Sequence, residues 1–194
     1  MYSFPMDSIS PFFGHSRVIA ACREEHVEDA MESSAAMVLV MNATVSWLIR
    51  QEFQEFREQK PILIHADLVK GLAGDREGVA FLRDYIRPWG IVSTKSGTLR
   101  AARKLGIPAI QRVFLIDSSS LRISIDSIIE NAPVAAELMP GLAVGPIAEV
   151  KTAVEVPVIA GGLIRTYAEA RAARDAGADA VSMSAPALWN EPFL

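Results

Sequence analysis

Two stretches near the carboxyl terminus decide the fold: VPVIAGGLIRT at residues 156–166 and AGADAVSMSAPALW at residues 176–189. Each is a short, largely apolar strand that opens into small residues, which are Gly161, Gly162, Ser182 and Ser184. Small residues allow backbone N–H groups to approach an anion. In (β/α)8 barrels the loops after the last two strands commonly form a phosphate site. The pair therefore predicts such a site, whereas a lone Gly-Gly would predict only a tight turn.

The same kind of strand recurs along the whole chain. Short apolar runs occupy residues 18–22, 37–43, 61–68, 90–95, 108–116, 134–141, 156–162 and 180–185, with helix-like segments between them. Near-continuous apolar strands separated by amphipathic helices indicate a parallel sheet that is buried on both faces. Eight such units predict an α/β fold of the closed, TIM-barrel type. Because 194 residues are few for this fold, we expect short loops and one degenerate unit.

The chain divides into a barrel domain at residues 18–194 and an N-terminal extension at residues 1–17. The extension contains Phe4, Phe12 and Phe13 and fits no strand-helix unit. It could plug the bottom of the barrel, form the arm of a homodimer, or fray.

Two helices are marked by their ends. In residues 166–177, Thr166 is positioned to cap the helix, Glu169 to complete a capping box, and Gly177 to end it. The second helix, at residues 97–106, places Arg100, Arg103 and Lys104 on one face at i, i+3, i+4 spacing.

Composition excludes several classes of protein. No apolar run approaches the roughly 20 residues that a membrane span needs, and the first residues do not resemble a signal peptide. The single cysteine, Cys22, rules out an internal disulfide, and the histidines are not spaced as metal ligands. We therefore expect a soluble, cytoplasmic protein without a cofactor or structural metal.

Charge is unevenly distributed. The formal net charge is −4 and the sequence pI is about 5.4, which argues against a nucleic-acid partner for the protein as a whole. Residues 76–122, however, contain nine basic residues and only three acidic ones. This segment could form a basic face for phosphodiester groups or be an ordinary solvated helix surface.

Polar residues follow several of the strands, where a barrel carries its ligand-binding groups. Lys95 and Arg112, on neighbouring strands, could meet a phosphate or carboxylate. Asp67 and Glu137 could accept hydrogen bonds from ligand hydroxyls. His65 lies two residues before Asp67 and so shares its side of the strand, which would permit acid/base chemistry or place His65 in the core.

Familiar catalytic motifs do not occur. The sequence contains no G-x-S-x-G, H-E-x-x-H or phosphate-binding G-x-x-x-x-G-K-[ST] pattern. We assign no catalytic residue and favour a binding protein over an enzyme. The alternative is an isomerase, epimerase or aldolase acting on a small phosphorylated polyol or sugar through His65, Asp67 or Lys95.

Five strings carry a family resemblance: IHADLVKGL at 64–72, GIVSTKS at 90–96, AIQRVFLIDSS at 109–119, ELMPG at 137–141 and AGGLIRT at 160–166. Together they resemble the glycerol-3-phosphate-responsive antiterminator family over residues 18–189. The resemblance implies a barrel-like fold, glycerol 3-phosphate as effector, and regulation by binding the leader mRNA of glycerol-utilisation operons, which prevents premature termination of transcription.

Combined with the residue pattern, this resemblance gives a specific expectation. The effector phosphate would rest on the four small residues, Lys95 and Arg112 would add positive charge, and Asp67 and Glu137 would bind the hydroxyls. The RNA would contact the basic segment at Arg83, Arg87, Arg100, Arg103 and Lys104. A third possibility is a phosphate-binding scaffold that does not bind RNA.

Overall fold

The eight strands form a closed parallel barrel in which each strand pairs with the next along the chain and β8 pairs with β1. The computed structural model describes residues 9–14 and 16–190. The strands are β1 Val18–Cys22, β2 Met37–Val40, β3 Ile62–His65, β4 Gly90–Ser93, β5 Ala109–Phe114, β6 Ala135–Met139, β7 Val158–Gly161 and β8 Ala180–Met183. All of them lie within the predicted apolar runs, which confirms the TIM-barrel prediction.

Helices cover the outside of the barrel. They are α1 Val27–Glu32, α2 Val45–Leu48, α3 Gln51–Gln59, α4 Arg76–Phe81, α5 Ser96–Leu105, α6 Ser118–Asn131, α7 Val144–Ala153 and α8 Tyr167–Asp175. A π-helical turn, Leu82–Ile86, continues α4. After β8 the described residues contain a short 3-10 turn, Pro186–Leu188.

The predicted helix ends are present. The Thr166 hydroxyl accepts a hydrogen bond from the Glu169 N–H, and the Glu169 carboxylate accepts one from the Thr166 N–H. Gly177 follows α8 with a φ of +104°, and Gly106 ends α5 with a φ of +72°, a left-handed conformation that glycine adopts without strain.

Side chains alternate between two apolar cores. On β1, Ile19 and Ala21 belong to the core inside the barrel, whereas Val18, Ala20 and Cys22 belong to the core between strands and helices. This alternation follows from the two-residue repeat of a strand. Because both faces are buried, the strands appear in the sequence as continuous apolar runs.

Residues 9–14 close the amino end of the barrel. Ile9 and Phe13 are buried in the inner core beside Met37, and Phe12 meets the ring of Trp89 edge-on at 5.1 Å between centroids. Of the three alternatives, residues 9–14 follow the plug arrangement. Residues 1–8 and 15 lie outside the described part of the chain.

The described helices include none that is long and apolar enough to cross a membrane. Within residues 9–14 and 16–190 no cluster of His, Cys, Asp and Glu is arranged to hold a metal ion.

Candidate functional site at the carboxyl end of the barrel

The barrel interior changes from apolar to polar toward the carboxyl ends of the strands. We call this end of the barrel the mouth. Leu63, Ile110, Ala135 and Ala180 belong to the inner apolar core. Two residues further along the same strands, and hence on the same face, come polar side chains that are also buried: His65, Arg112, Glu137 and Ser182.

Arg112 and Glu137 form an ion pair in the mouth. They are partners in the register of β5 and β6, and Arg112 Nε donates to Glu137 Oε2 over 2.7 Å. Their side chains are 5% and 2% exposed. Arg112 Nη2 and Glu137 Oε1 have no hydrogen-bond partner among the described residues. Buried polar groups are normally paired, so this donor and this acceptor are available to a ligand.

Gly161 and Gly162 allow the backbone of β7 to pass close to this ion pair. A Cβ atom on Gly161 would lie 2.6 Å from Glu137 Oε1, which is closer than a Cβ atom approaches a non-bonded oxygen. Gly162 has a φ of +75°, and the Gly141 N–H donates to the carbonyls of Gly161 and Gly162 at 2.6 and 3.1 Å. Gly161 is therefore needed for space and Gly162 for backbone conformation.

A cavity of about 90 Å³ opens beside Arg112. Of the eight predicted ligand-binding residues, four line it: Arg112, Gly162, Ser182 and Ser184. Glu137 and Gly161 do not line it, but Glu137 is bonded to Arg112 and Gly161 lies against Glu137. A wider groove of about 500 Å³ adjoins the cavity through Ala21, Met41 and Ser184, and it is flanked by Arg23 and His26. The two serine- and glycine-rich strand ends thus meet at one cavity.

Asp67 is placed outside this lining. Its carboxylate accepts hydrogen bonds from Ser93 Oγ at 2.7 Å, from the Thr94 N–H at 2.7 Å and from Thr94 Oγ1 at 2.8 Å. Burial alone would raise the pKa of Asp67, but these hydrogen bonds together outweigh it and lower the pKa. Asp67 therefore joins the loops that follow β3 and β4, and sequence reasoning missed its partners.

Lys95 is likewise away from the cavity. It is exposed at the start of α5, and a Cβ atom on Gly74 would lie 3.3 Å from its Nζ. Strand order makes Lys95 and Arg112 neighbours, but Lys95 follows the end of β4, whereas Arg112 lies within β5 and points inward.

His65 is neutral at physiological pH. Burial, assisted by the positive charge of Arg112, lowers the pKa of His65 to about 4, although Asp67 opposes the shift. Its Nδ1 atom is buried and has no partner in the described residues. A neutral imidazole can donate or accept a hydrogen bond but is a poor proton donor at neutral pH.

The predicted RNA-binding residues lie on the outside of the barrel. Arg100, Arg103 and Lys104 are exposed on α5, while Arg83 lies within the π-helical turn and Arg87 directly follows it. Arg83 Nη1 donates to the Leu105 carbonyl at 3.4 Å, which holds the two elements side by side. We call these five residues the basic face. Because α5 runs from the mouth toward the amino end of the barrel, Arg103 and Lys104 lie far from the cavity along the barrel axis.

Comparisons with known proteins identify the family. The sequence profile described as "Glycerol-3-phosphate responsive antiterminator" matches residues 18–189. The crystal structure of a glycerol uptake operon antiterminator regulatory protein from Listeria monocytogenes is 32% identical with a TM-score of 0.83, covering 89% of this chain and 94% of that one. An antiterminator-related protein from Thermotoga maritima is 25% identical with a TM-score of 0.77, covering 90% and 98%.

A curated relative from Escherichia coli, uncharacterized protein YgcP, is 29% identical over 173 residues, covering 89% of this chain and 91% of its own. The family match extends from the first residue of β1 to the 3-10 turn after β8, so it includes every strand and the whole mouth. The chain therefore belongs to the glycerol-3-phosphate responsive antiterminator family, and the name of that family denotes a regulator rather than an enzyme.

Proposed function

We propose that this protein is a glycerol-3-phosphate sensor that binds the leader mRNA of a glycerol-utilisation operon in the cytoplasm and prevents premature termination of transcription. One observation carries the effector half of the proposal: in the mouth, a buried guanidinium donor and a buried carboxylate acceptor are left without partners beside a small cavity. A small phosphorylated polyol supplies an anionic acceptor and hydroxyl donors in one molecule.

The effector lies across the cavity with its phosphate against Gly162, Ser182 and Ser184, where hydroxyls and small residues allow close approach. Arg112 Nη2 donates to a ligand oxygen, and Glu137 Oε1 accepts from a hydroxyl. Gly161 contributes because it has no side chain and so leaves room for the Glu137 carboxylate. Lys95 adds positive potential at the rim of the mouth, and Asp67 holds the loops that surround it.

The RNA half of the proposal rests on the family and on charge. The basic face carries five cations on adjacent elements, and phosphate contacts by Lys and Arg supply much of the affinity for RNA. Effector binding increases RNA affinity only to the extent that glycerol 3-phosphate binds the RNA-competent state more tightly. Linkage then requires RNA to tighten effector binding by the same factor.

Calorimetric titration of glycerol 3-phosphate, with and without the leader RNA of the protein's own operon, tests this coupling. We expect saturable binding that tightens when RNA is present, and no comparable binding of glycerol or inorganic phosphate alone. Equal affinity with and without RNA would refute the regulator and leave an effector-binding scaffold.

Charge reversal tests the RNA surface. Replacing Arg100, Arg103 and Lys104 with glutamate is expected to weaken leader-RNA binding and flatten its dependence on salt, because fewer counterions are released. Effector affinity in the absence of RNA should not change. An unaltered salt slope would place the RNA elsewhere.

The enzyme alternative is less well supported by the geometry. An isomerase or aldolase would need His65, Asp67 or Lys95 to act on one ligand, but Lys95 and Asp67 lie outside the cavity lining and His65 is held neutral. Borohydride trapping of an imine on Lys95, or turnover of a sugar phosphate that is lost in Asp67→Asn, would favour the enzyme.

A further inference from the structure

The ion pair in the mouth leaves one donor and one acceptor unused. Arg112 Nε donates to Glu137 Oε2 over 2.7 Å, and both side chains are buried. The atoms without a partner in the described residues, Arg112 Nη2 and Glu137 Oε1, belong to these same two planar groups, so covalent geometry keeps them close to each other. A guanidinium nitrogen only donates, and a carboxylate oxygen only accepts. A ligand group that satisfies both atoms must therefore accept and donate at once.

An alcohol on the ligand has this property and a ketone does not. The oxygen of an alcohol accepts from Arg112 Nη2 while its hydrogen is donated to Glu137 Oε1. A ketone oxygen at the same point accepts from Arg112 but has no hydrogen to donate, and its lone pairs face the carboxylate. Glu137 Oε1 is then enclosed without a donor, which is costly for a charged group.

The other buried polar groups of this layer do not remove the requirement. His65 and Ser182 are neutral, since burial and the charge of Arg112 lower the pKa of His65 to about 4. Among the residues that the structure describes, Arg112 is the one buried lysine or arginine, and its charge is already balanced by Glu137. No second buried cation is therefore available to screen Glu137 from a ligand that offers it lone pairs.

Glu137 Oε1 also lies near the place proposed for the phosphate. It is directly against Gly161, where a Cβ atom would be 2.6 Å away, and the next residue, Gly162, lines the cavity. The strands β6 and β7 are paired neighbours, and neighbouring strands lie about 4.8 Å apart. Only a short part of the ligand can span from the phosphate to this acceptor. The alcohol on the carbon next to the phosphorylated one fits that span.

We propose that Arg112 and Glu137 select the ligand by the oxidation state of the carbon next to the phosphorylated one, binding the secondary alcohol of glycerol 3-phosphate and rejecting the ketone of dihydroxyacetone phosphate. The two compounds share the phosphate, the chain length and the terminal hydroxyl. This inference rests on the proposed function, since it concerns the same effector. It deepens that function because a compound oxidised at this carbon would not act as an effector.

Calorimetric titration of the protein with three phosphates tests the selectivity. They are glycerol 3-phosphate, dihydroxyacetone phosphate and 3-hydroxypropyl phosphate, which lacks the middle hydroxyl. We expect the ketone to bind at least about 100-fold more weakly than the alcohol, because it leaves a buried carboxylate oxygen without a donor. The compound without the hydroxyl should bind at least about tenfold more weakly than glycerol 3-phosphate, because neither unused atom gains a partner.

Glu137→Gln tests the residue. Its amide nitrogen can donate to a ketone, so the ratio of the affinities for alcohol and ketone should shrink by at least about tenfold, even if both affinities fall because Arg112 has lost its counter-ion. Glu130→Gln is the matched control, since Glu130 is exposed on α6, and it should keep the ratio of the parent. Should Glu137→Gln fail to fold, the titrations of the parent decide the question.

The outcomes separate this inference from the function on which it rests. If the parent binds glycerol 3-phosphate and binds dihydroxyacetone phosphate within about threefold of it, the selectivity is wrong while the sensor stands. A folded Glu137→Gln variant that keeps the full ratio of the parent would also refute the role of Glu137. If the parent does not bind glycerol 3-phosphate, the effector proposal itself is wrong and the selectivity falls with it.

Discussion

Arg112 donates to Glu137 across 2.7 Å from directly opposite positions on β5 and β6, and neither side chain has meaningful contact with bulk solvent. Removing two charges from water is costly, and the attraction between them offsets that cost only when the remaining donors and acceptors are also paired. Here Arg112 Nη2 and Glu137 Oε1 are not paired within the described residues. The ion pair is therefore better suited to binding a ligand than to stabilising the barrel.

Removing one partner of the pair should be far worse for stability than removing both. Glu137→Leu leaves a buried guanidinium without its counter-ion and is expected to cost about 3–5 kcal/mol in free energy of unfolding. The double variant Arg112→Met/Glu137→Leu should recover most of that loss. Urea unfolding of the single and double variants measures both quantities.

Effector binding should not recover with stability in the double variant. Calorimetry is expected to show no binding of glycerol 3-phosphate by Arg112→Met/Glu137→Leu, because both groups that would contact it are gone. A double variant as unstable as Glu137→Leu alone would mean that the pair is structural. A stable double variant that still binds the effector would remove Arg112 and Glu137 from the site.

Gly161 is expected to be intolerant of even a methyl group. Gly161→Ala would place a Cβ atom 2.6 Å from Glu137 Oε1, so the carboxylate or the backbone of β7 must move. Overpacking of this kind typically costs about 1–3 kcal/mol, which urea unfolding would detect. Effector affinity should fall as well, since the displaced carboxylate belongs to the ion pair.

Gly97→Ala is the matched control for Gly161→Ala. Gly97 lies in the first turn of α5, and apart from its chain neighbours and the backbone of α5 itself, a Cβ atom there would meet nothing within 4 Å. Alanine should therefore be neutral or stabilising by up to about 1 kcal/mol. If Gly161→Ala and Gly97→Ala changed the free energy of unfolding and the effector affinity equally, the close approach of Gly161 to Glu137 would not matter for either quantity.

Sequence reasoning was most successful for the strands and for the ends of α8. A strand buried on both faces has to be apolar at every position, and β1, β2 and β7 therefore stand out as continuous runs. The capping box of Thr166 and Glu169 is local, because its two hydrogen bonds join residues three apart. Such features need no knowledge of the rest of the fold.

The mouth was harder to predict because its geometry depends on register and side-chain direction. Sequence reasoning placed Arg112 and Glu137 at strand ends as separate ligand groups, but their pairing follows from the alignment of β5 with β6. Asp67 was expected to face the ligand, yet Ser93 and Thr94 of the next unit occupy its carboxylate. A spacing along one strand cannot reveal a partner supplied by another.

His65 should make the protein less stable as the solution is acidified. The pKa is about 4 in the folded state and near 6.5 when the chain is unfolded, so below pH 6.5 the unfolded state binds the proton more readily. The contribution of His65 to the free energy of unfolding is therefore fully present above pH 6.5 and is lost progressively as the pH falls to about 4. The total loss is on the order of 3 kcal/mol.

His65→Gln should flatten this pH dependence. Urea unfolding at several pH values between 7 and 4.5 is the measurement, and His26→Gln is the control because the His26 side chain is 56% exposed. Acid also reduces folding stability through Asp67. Because the pKa of this carboxyl lies below its usual value of 3.8, that loss of stability begins only below the pH range of the experiment. Parallel curves for the parent and His65→Gln would contradict the shift assigned to His65.

Cys22 should be unreactive in the folded protein and can report on its opening. The side chain is buried at the end of β1, and burial together with the negative charges of Glu25 and Asp29 raises the pKa of the thiol to about 12. Since the thiolate is the reactive form, a disulfide reagent at pH 8 should label the native protein very slowly and the unfolded protein at once.

Because Cys22 is the single cysteine in the chain, its labelling reports one event without background from other thiols. In moderate urea, glycerol 3-phosphate at 100 times its dissociation constant should slow labelling by about 100-fold when opening is in rapid equilibrium, since the ligand binds only the closed state. Glycerol at the same concentration should have no effect. Immediate stoichiometric labelling without urea would show that β1 is open to solvent at Cys22. A labelling rate in urea that does not change when glycerol 3-phosphate is added would show that β1 opens without release of the ligand from the mouth.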